Sequence, residues 1–436
     1  MARSGAVSVY LKETSPRSEW VFRLFIEDLL GGELHLVSDI APDGTGGPPM
    51  INYSDTEIEG AMQILPHGIL SEKDIRQQQI AVNSFEGLPV FFMTGGGDLP
   101  FDPFAMAFYL VSRYEEYLPF EYDRHKRFPS GEGLASRAGF LQLALVNRLA
   151  MLLKEKLQGK FPGAIFSPKA YDFIPTIDVD IAFAHLGKGF VRATGAMGKL
   201  ILKGKMGEVK SRVSTMLGHS ADPYDNFGMI RKICTLHNLR PRYFILAGDP
   251  GPYDRNLSVK NKRFARLLRE LSDYADIGVH PSYGAGNDPE RMEKEVNRIR
   301  SAIGKEISIS RQHFVKLHFP DTYRALINAG IKEDYSMGFA DCQGFRASIA
   351  SPYYHFDLAS EKETELRVFP FMFMDSSLED YQGLSPEEYV NAVIPVINEV
   401  KHCNGTLVGI WHNYAMADDL AKHEAFSEII KIAAPS

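Results

Sequence analysis

Beyond residue 163, short and nearly continuous apolar runs alternate with longer stretches whose apolar residues recur at helical spacing, a pattern that predicts an α/β sheet or barrel. Strands are predicted over residues 174–179, 242–246, 277–280, 307–314, 335–339, 366–374 and 406–412, and helices over 227–237, 259–274, 289–303, 322–329, 386–402 and 418–432. Asp288-Pro289 and Ser385-Pro386 each read as a cap followed by a first-turn proline, and Gly330 as a helix stop. The earlier part of the chain is less regular. It predicts strands over 7–11 and 88–93 and helices over 20–30, 103–117 and 139–157, with Asp102 capping the helix that Pro103 begins. Gly159-Lys-Phe-Pro-Gly163 supplies turn residues for a boundary, so residues 1–163 are expected to form a smaller mixed α/β domain and residues 164–436 a second one.

One apolar run ends abruptly in two carboxylates, Tyr171-Asp-Phe-Ile-Pro-Thr-Ile-Asp-Val-Asp180. Residues i and i+2 of a strand share a face, so Asp178 and Asp180 are expected to enter one pocket. Two like charges that close call for a cation or a shared proton, which leaves a metal with a neighbouring base, or a carboxylate dyad. A strand end whose aspartates cap the next helix is the plainer reading. His280, Arg311, His313 and His412 also fall at or just after predicted strand ends, which is where barrel enzymes gather a site from distant parts of the chain.

A formal net charge of -7 argues against a general nucleic-acid binder. Three scattered cysteines suggest neither a disulfide framework nor a cysteine zinc site. The N-terminal residues lack the apolar core of a signal peptide and no later segment reads as spanning a bilayer, so the expected compartment is the cytoplasm. Arg113 with Glu115 and Glu116 reads as a surface or interface network, and Arg124, His125, Lys126 and Arg127 as a small basic loop facing either a glycan or water, with water the favoured reading. Residues 186–217, rich in Lys and Arg among apolar residues, are expected to form either a solvated helical excursion or an amphipathic lid meeting a membrane surface or a lipid-linked glycan.

Four stretches then occur in order: Thr176-Ile-Asp-Val-Asp180, Asp276-Ile-Gly-Val-His-Pro281, Ser310-Arg-Gln-His-Phe314 and Leu407-Val-Gly-Ile-Trp-His412. Together they resemble the motifs of the polysaccharide deacetylase (NodB-homology) superfamily of carbohydrate esterases, over about the last three-fifths of the chain. The resemblance implies a distorted (β/α)7 barrel behind the smaller N-terminal domain. It implies Asp178 as base, Asp180 and His280 as metal ligands, Arg311 as the residue that orients the base, and His412 as the acid that protonates the leaving group. Two departures stand out. Asp276 occupies the place of the family's first histidine, and Phe314 that of its tyrosine; Asp276 or the additional His313 is expected to complete the ligand set.

The implied cofactor is a divalent metal, zinc foremost, with cobalt or nickel as alternatives. The implied reaction is hydrolysis of an acetyl amide or ester on a polysaccharide or its precursor. Ser282, Tyr283, Phe314 (through its backbone N–H), Trp411 and Tyr414 are candidate substrate contacts, as is Arg346 in a loop expected over 345–355. The alternatives are a non-catalytic glycan-binding or assembly protein on a decayed barrel, and a hydrolase of small linear or cyclic amides.

Overall fold

Strands β1 (Ala6–Tyr10), β2 (Glu33–Val37), β3 (Met50–Tyr53) and β4 (Met62–Ile64) form a parallel sheet in the order β2-β1-β3-β4. A hairpin of β5 (Asn83–Phe85) and β6 (Leu88–Val90) follows. These and all later coordinates come from a computed structural model, which describes residues 5–38, 49–187, 201–417 and 419–435. The helix Pro16–Arg23 starts at Ser15, whose side chain and that of Ser18 close a reciprocal cap. The helix that begins at Pro103 ends at Val111 rather than continuing to Tyr117, because Arg113 takes a left-handed conformation (φ 58°) that turns its guanidinium inward.

The remaining strands build one nine-stranded sheet: β7 (Asp172–Val179), β8 (Arg242–Leu246), β9 (Asp276–His280), β10 (Ile309–Ser310), β11 (Glu333–Asp334), β12 (Tyr353–Asp357), β13 (Lys362–Val368), β14 (Phe373–Met374) and β15 (Thr406–His412). Their order is β12-β13-β11-β10-β9-β8-β7-β15-β14, and every pair is parallel except β12 with β13. The predicted strand over 307–314 is cut to two residues because the chain turns at Phe314 and Val315, both at positive φ. The strand predicted over 335–339 is absent; β11 lies just before it, and the Asp334 carboxylate bonds Ser310 and Ser336 instead of leaving them to a ladder.

One stretch bends this sheet. After β13, Phe369 N–H donates to Asp334 O (2.8 Å), Phe371 N–H to Met337 O (3.0 Å) and Met372 N–H to Val408 O (3.0 Å). Residues 362–374 therefore pair beside β11 at their start and beside β15 at their end, drawing the parallel strands round a shared interior. That interior holds Ile174, Phe244, Ile309, Tyr335, Phe369, Phe371, Met374, Val408 and Ile410, while the alternate residues of the same strands face the larger core beneath the helices. The Thr176 hydroxyl donates to Gly409 O (2.6 Å), 233 positions along the chain.

The larger core runs without interruption across residue 163. Trp20 packs on Phe356 (5.5 Å between centroids) and donates to Tyr354 O (2.8 Å), and the buried Arg17 reaches Glu361. Arg148 forks onto Glu399 (2.9 and 2.6 Å). Among the described residues no helix is long and apolar enough to cross a membrane. The expected 186–217 excursion lies partly outside the described residues; within it, Met206–Met216 is helical.

Candidate functional site

Parallel strands pointing one way place their C-terminal ends along one edge, and the register sets which residues meet there. His412 lies opposite Asp178 across β15 and β7, and β9 delivers His280 two strands further on. Arg311 leaves β10 with its N–H bonded to Val279 O (3.0 Å), and its guanidinium turns back into the interior. There Nη1 donates to Asp178 Oδ1 (2.9 Å) and Thr176 Oγ1 (2.7 Å), and Nε to Tyr335 O (2.9 Å). The cation also lies 4.4 Å from the centroid of Phe244. Gly278 makes room for that ring, since a Cβ there would fall 2.6 Å from it. Asp178 Oδ2 accepts no hydrogen bond among the described residues and sits 3.8 Å from His280 Nε2.

Asp180, His280 and His313 are buried, and one ligand atom from each lies within 4.8 Å of the others. His280 Nδ1–H donates to Arg311 O (2.6 Å), which turns Nε2 toward Asp180 Oδ1 at 3.2 Å. That oxygen is buried and accepts no hydrogen bond. A ring nitrogen and a carboxylate oxygen thus face one another with no aligned hydrogen bond between them, an arrangement that suits a shared cation. His313 Nδ1–H donates to Asp254 Oδ1 (3.0 Å) and directs Nε2 to Asp180 Oδ2 at 3.6 Å. Such carboxylate- or carbonyl-braced imidazoles are how metal-ligating histidines are oriented. Burial alone would raise the Asp180 carboxyl, yet His313 and His280 hold it well below the usual range. Burial lowers His313, but the charges and hydrogen bonds of Asp180 and Asp254 outweigh this and raise it to about 9. A bound cation would take that proton's place. One carboxylate and two imidazoles are a donor set that zinc and related divalent ions accept, so the residues fit a metal.

On the other side of Asp180, His412 Nδ1–H donates to Asp375 Oδ1 (2.6 Å), and Nε2 stands 3.8 Å from Asp180 Oδ2. Burial lowers His412, while Asp375, Asp180 and Asp178 together raise it to about 10. These groups line a cavity of about 360 Å³, whose wall also includes Gln312, Phe314, Tyr414, Asp380, Tyr381, Arg124 and Arg127.

Several expected site residues lie elsewhere. Asp276 opens β9 at the opposite end from His280, four residues or about 13 Å along an extended strand, and there it pairs with Arg240 (2.8 Å) and Arg242 (3.6 Å). His313 stands at the cluster in its stead. Trp411 points to the other face of β15 from His412 and packs among Phe173, Phe373 and Phe426, which the alternation of strand side chains requires. Ser282 donates through Oγ and N–H to Glu295 (2.6 and 2.7 Å). Arg346 is buried on Glu116 (2.9 and 2.6 Å), and the loop expected over 345–355 is largely buried, with β12 beginning at Tyr353.

Tyr283 does stand near the cavity, stacked on Tyr253 (4.3 Å) and edge-on to Phe314 (5.4 Å). The basic loop is divided there: Arg124 and Lys126 are exposed as expected, whereas His125 and Arg127 are buried, and Arg127 donates to Phe314 O and to the Tyr381 hydroxyl (each 2.9 Å). Asp254 and Asp375 were not foreseen. Asp375 follows the apolar pair of β14 just as Asp178 ends its own run, so the same rule points to it; Asp254 lies in a loop without such a signal.

Residues 7–162 match a family model described as a family of unknown function (DUF7033). No curated protein matches the sequence. Among solved structures the chain is similar to a protein of Mycobacterium smegmatis assigned as a polysaccharide deacetylase, at 14% identity over 61% of this chain and 85% of that one, with a TM-score of 0.40. It is similar to the polysaccharide deacetylase Bc1974 of Bacillus cereus, at 12% identity over 60% and 86% of the two chains (TM-score 0.29). It is also similar to BA3943, a CE4 family pseudoenzyme of Bacillus anthracis, at 13% identity over 61% of each chain (TM-score 0.27).

Proposed function

We propose that this protein is a metal-dependent hydrolase that removes an acetyl group, as amide or ester, from a polysaccharide or its precursor. In this reading residues 164–436 form a divergent deacetylase-type (β/α)7 barrel, and residues 1–163 a smaller mixed α/β part that shares its core. The observation that carries the reading is the meeting, in one cavity, of a braced Asp180–His280–His313 cluster with two differently held groups, Asp178 on Arg311 and His412 on Asp375. Asp180, His280 and His313 would hold the metal, which supplies Lewis-acid polarisation of the acyl oxygen and of the attacking water.

The chain's own residues divide the proton work. Asp178 keeps one oxygen clear of hydrogen bonds and takes the water's proton, while Arg311 fixes the carboxylate's direction. His412, protonated against Asp375, gives its Nε2 proton to the departing amine or alkoxide. Water attacks the acyl carbon, the bond to nitrogen or oxygen breaks, and acetate leaves with the proton balance closed. Phe314 and Tyr414 offer aromatic surface to a sugar ring.

Elemental analysis of the purified protein tests the reading, together with acetate release from acetylated oligosaccharides. One divalent ion per chain is expected, lost in Asp180→Ala, His280→Ala and His313→Ala and kept in Asp276→Ala. Absence of metal after incubation with zinc, cobalt or nickel would overturn it.

A further inference from the structure

The cavity wall contributed by residues 123–127 has a feature that the hydrolytic groups do not use. Asp123 pins the loop by accepting from the N–H groups of His125 and Arg127 (each 2.8 Å) and from Arg127 Nε (2.7 Å). His125 sits among Tyr253, Tyr283 and Phe314, with Nδ1–H toward the Tyr283 hydroxyl (3.2 Å) and Nε2 accepting from Arg124 Nε (3.2 Å). Arg124 is thereby held at the cavity, and its two Nη groups have no carboxylate or carbonyl partner among the described residues.

The other charges of the cavity are matched. Asp178 faces Arg311, Arg127 faces Asp123, and Asp180 faces the imidazoles. Only Asp380 on the same lining lacks an ion-pair partner among the described residues, and a carboxyl there suits sugar hydroxyls as donors. An oriented guanidinium with free Nη groups beside a sugar-sized cavity is a fork for a carboxylate or another oxyanion.

We infer that Arg124 is a specificity-determining residue which binds an anionic substituent on the substrate, so that the N-terminal part of the chain selects acidic acetylated glycans, uronate-bearing ones foremost. This rests on the hydrolase reading for the acetyl group, but the subsite is a binding claim and is measured as one. Calorimetric titration of the full chain would compare an acetylated uronate oligosaccharide with a neutral N-acetylglucosamine oligomer of equal length, at low and moderate salt. The wild type is expected to bind the anionic oligomer about tenfold more tightly, Arg124→Gln to bind the two alike, and Lys126→Gln, whose side chain is outside the cavity lining, to keep the preference. Equal binding of both oligomers by the wild type, binding of neither, a preference that survives in Arg124→Gln, or one lost equally in Lys126→Gln overturns the inference. Acetate release is read in the same samples: a preference without release keeps the subsite and removes the hydrolase.

Discussion

Arg346 and Arg311 are both wholly enclosed and each meets a carboxylate, yet the two pairs are built to different ends. Arg346 forks onto both oxygens of Glu116, and Arg113 adds a third bond to the same carboxylate (2.7 Å), so neither oxygen is uncommitted. Arg311 touches one oxygen of Asp178 and spends its other bonds on Thr176 and Tyr335, leaving Asp178 Oδ2 open to the cavity. A carboxylate that must accept a proton from substrate water needs an uncommitted oxygen; one that joins two parts of a chain is strongest with none.

Asp178→Asn should be the most damaging change to activity, lowering acetate release by about a thousandfold; because it also strips the buried Arg311 of its carboxylate, urea titration beside the kinetics should show a stability loss of about 3 kcal/mol, too small to account for the lost activity. Equal losses of activity and stability would erase the distinction between the two pairs. Glu116→Gln should do the reverse, costing about 3–5 kcal/mol of stability because Arg113 and Arg346 lose their buried partner, while kcat of the remaining folded protein stays within a few-fold.

Acid sharpens the contrast. Burial would raise Glu116, but Arg346 and Arg113 hold it below the usual glutamate value. Its contribution is therefore fully present above the unfolded-state value and is lost as pH falls through the folded one. Wild-type stability should decline below about pH 4.5 more steeply than that of Glu116→Gln. The smallest effect belongs to Asp276, which pairs with Arg240 and Arg242 with 40% of its side chain exposed. Asp276→Asn should change stability by about 1 kcal/mol or less and leave metal content untouched.

The long apolar runs were legible. β8, β15 and the helices Pro289–Ile303 and Pro386–His402 have the predicted limits, because each carries a strong period or a cap-plus-proline start. β2 was missed although Glu-Leu-His-Leu-Val alternates, since its outer positions stay partly exposed and its apolar content is low. Spacing along the sequence could place Asp178, Asp180, His280 and His412 at strand ends. It could not tell which end of β9 faces the cavity, and so could not separate Asp276 from His280; parallel register decides that. Trp411 was misread for a related reason, since proximity in sequence to His412 guarantees opposite faces in a strand. The packing of Arg127 depends on contacts with residues far along the chain, of which local charge carries no trace.

The Thr176–Gly409 bond and the pairing of β7 with β15 set a timetable for synthesis. The two carboxylates leave the ribosome early, and the partner strand that brings His412 follows only after most of the sheet. Until residue 412 has emerged, Asp178 and Asp180 sit on an open edge strand, although Asp180, His280 and His313 have all been made once residue 313 is out. Closure of the ring by its most distant contact should therefore be a slow, late step of folding. It is also the step at which the cavity around Asp180 first exists.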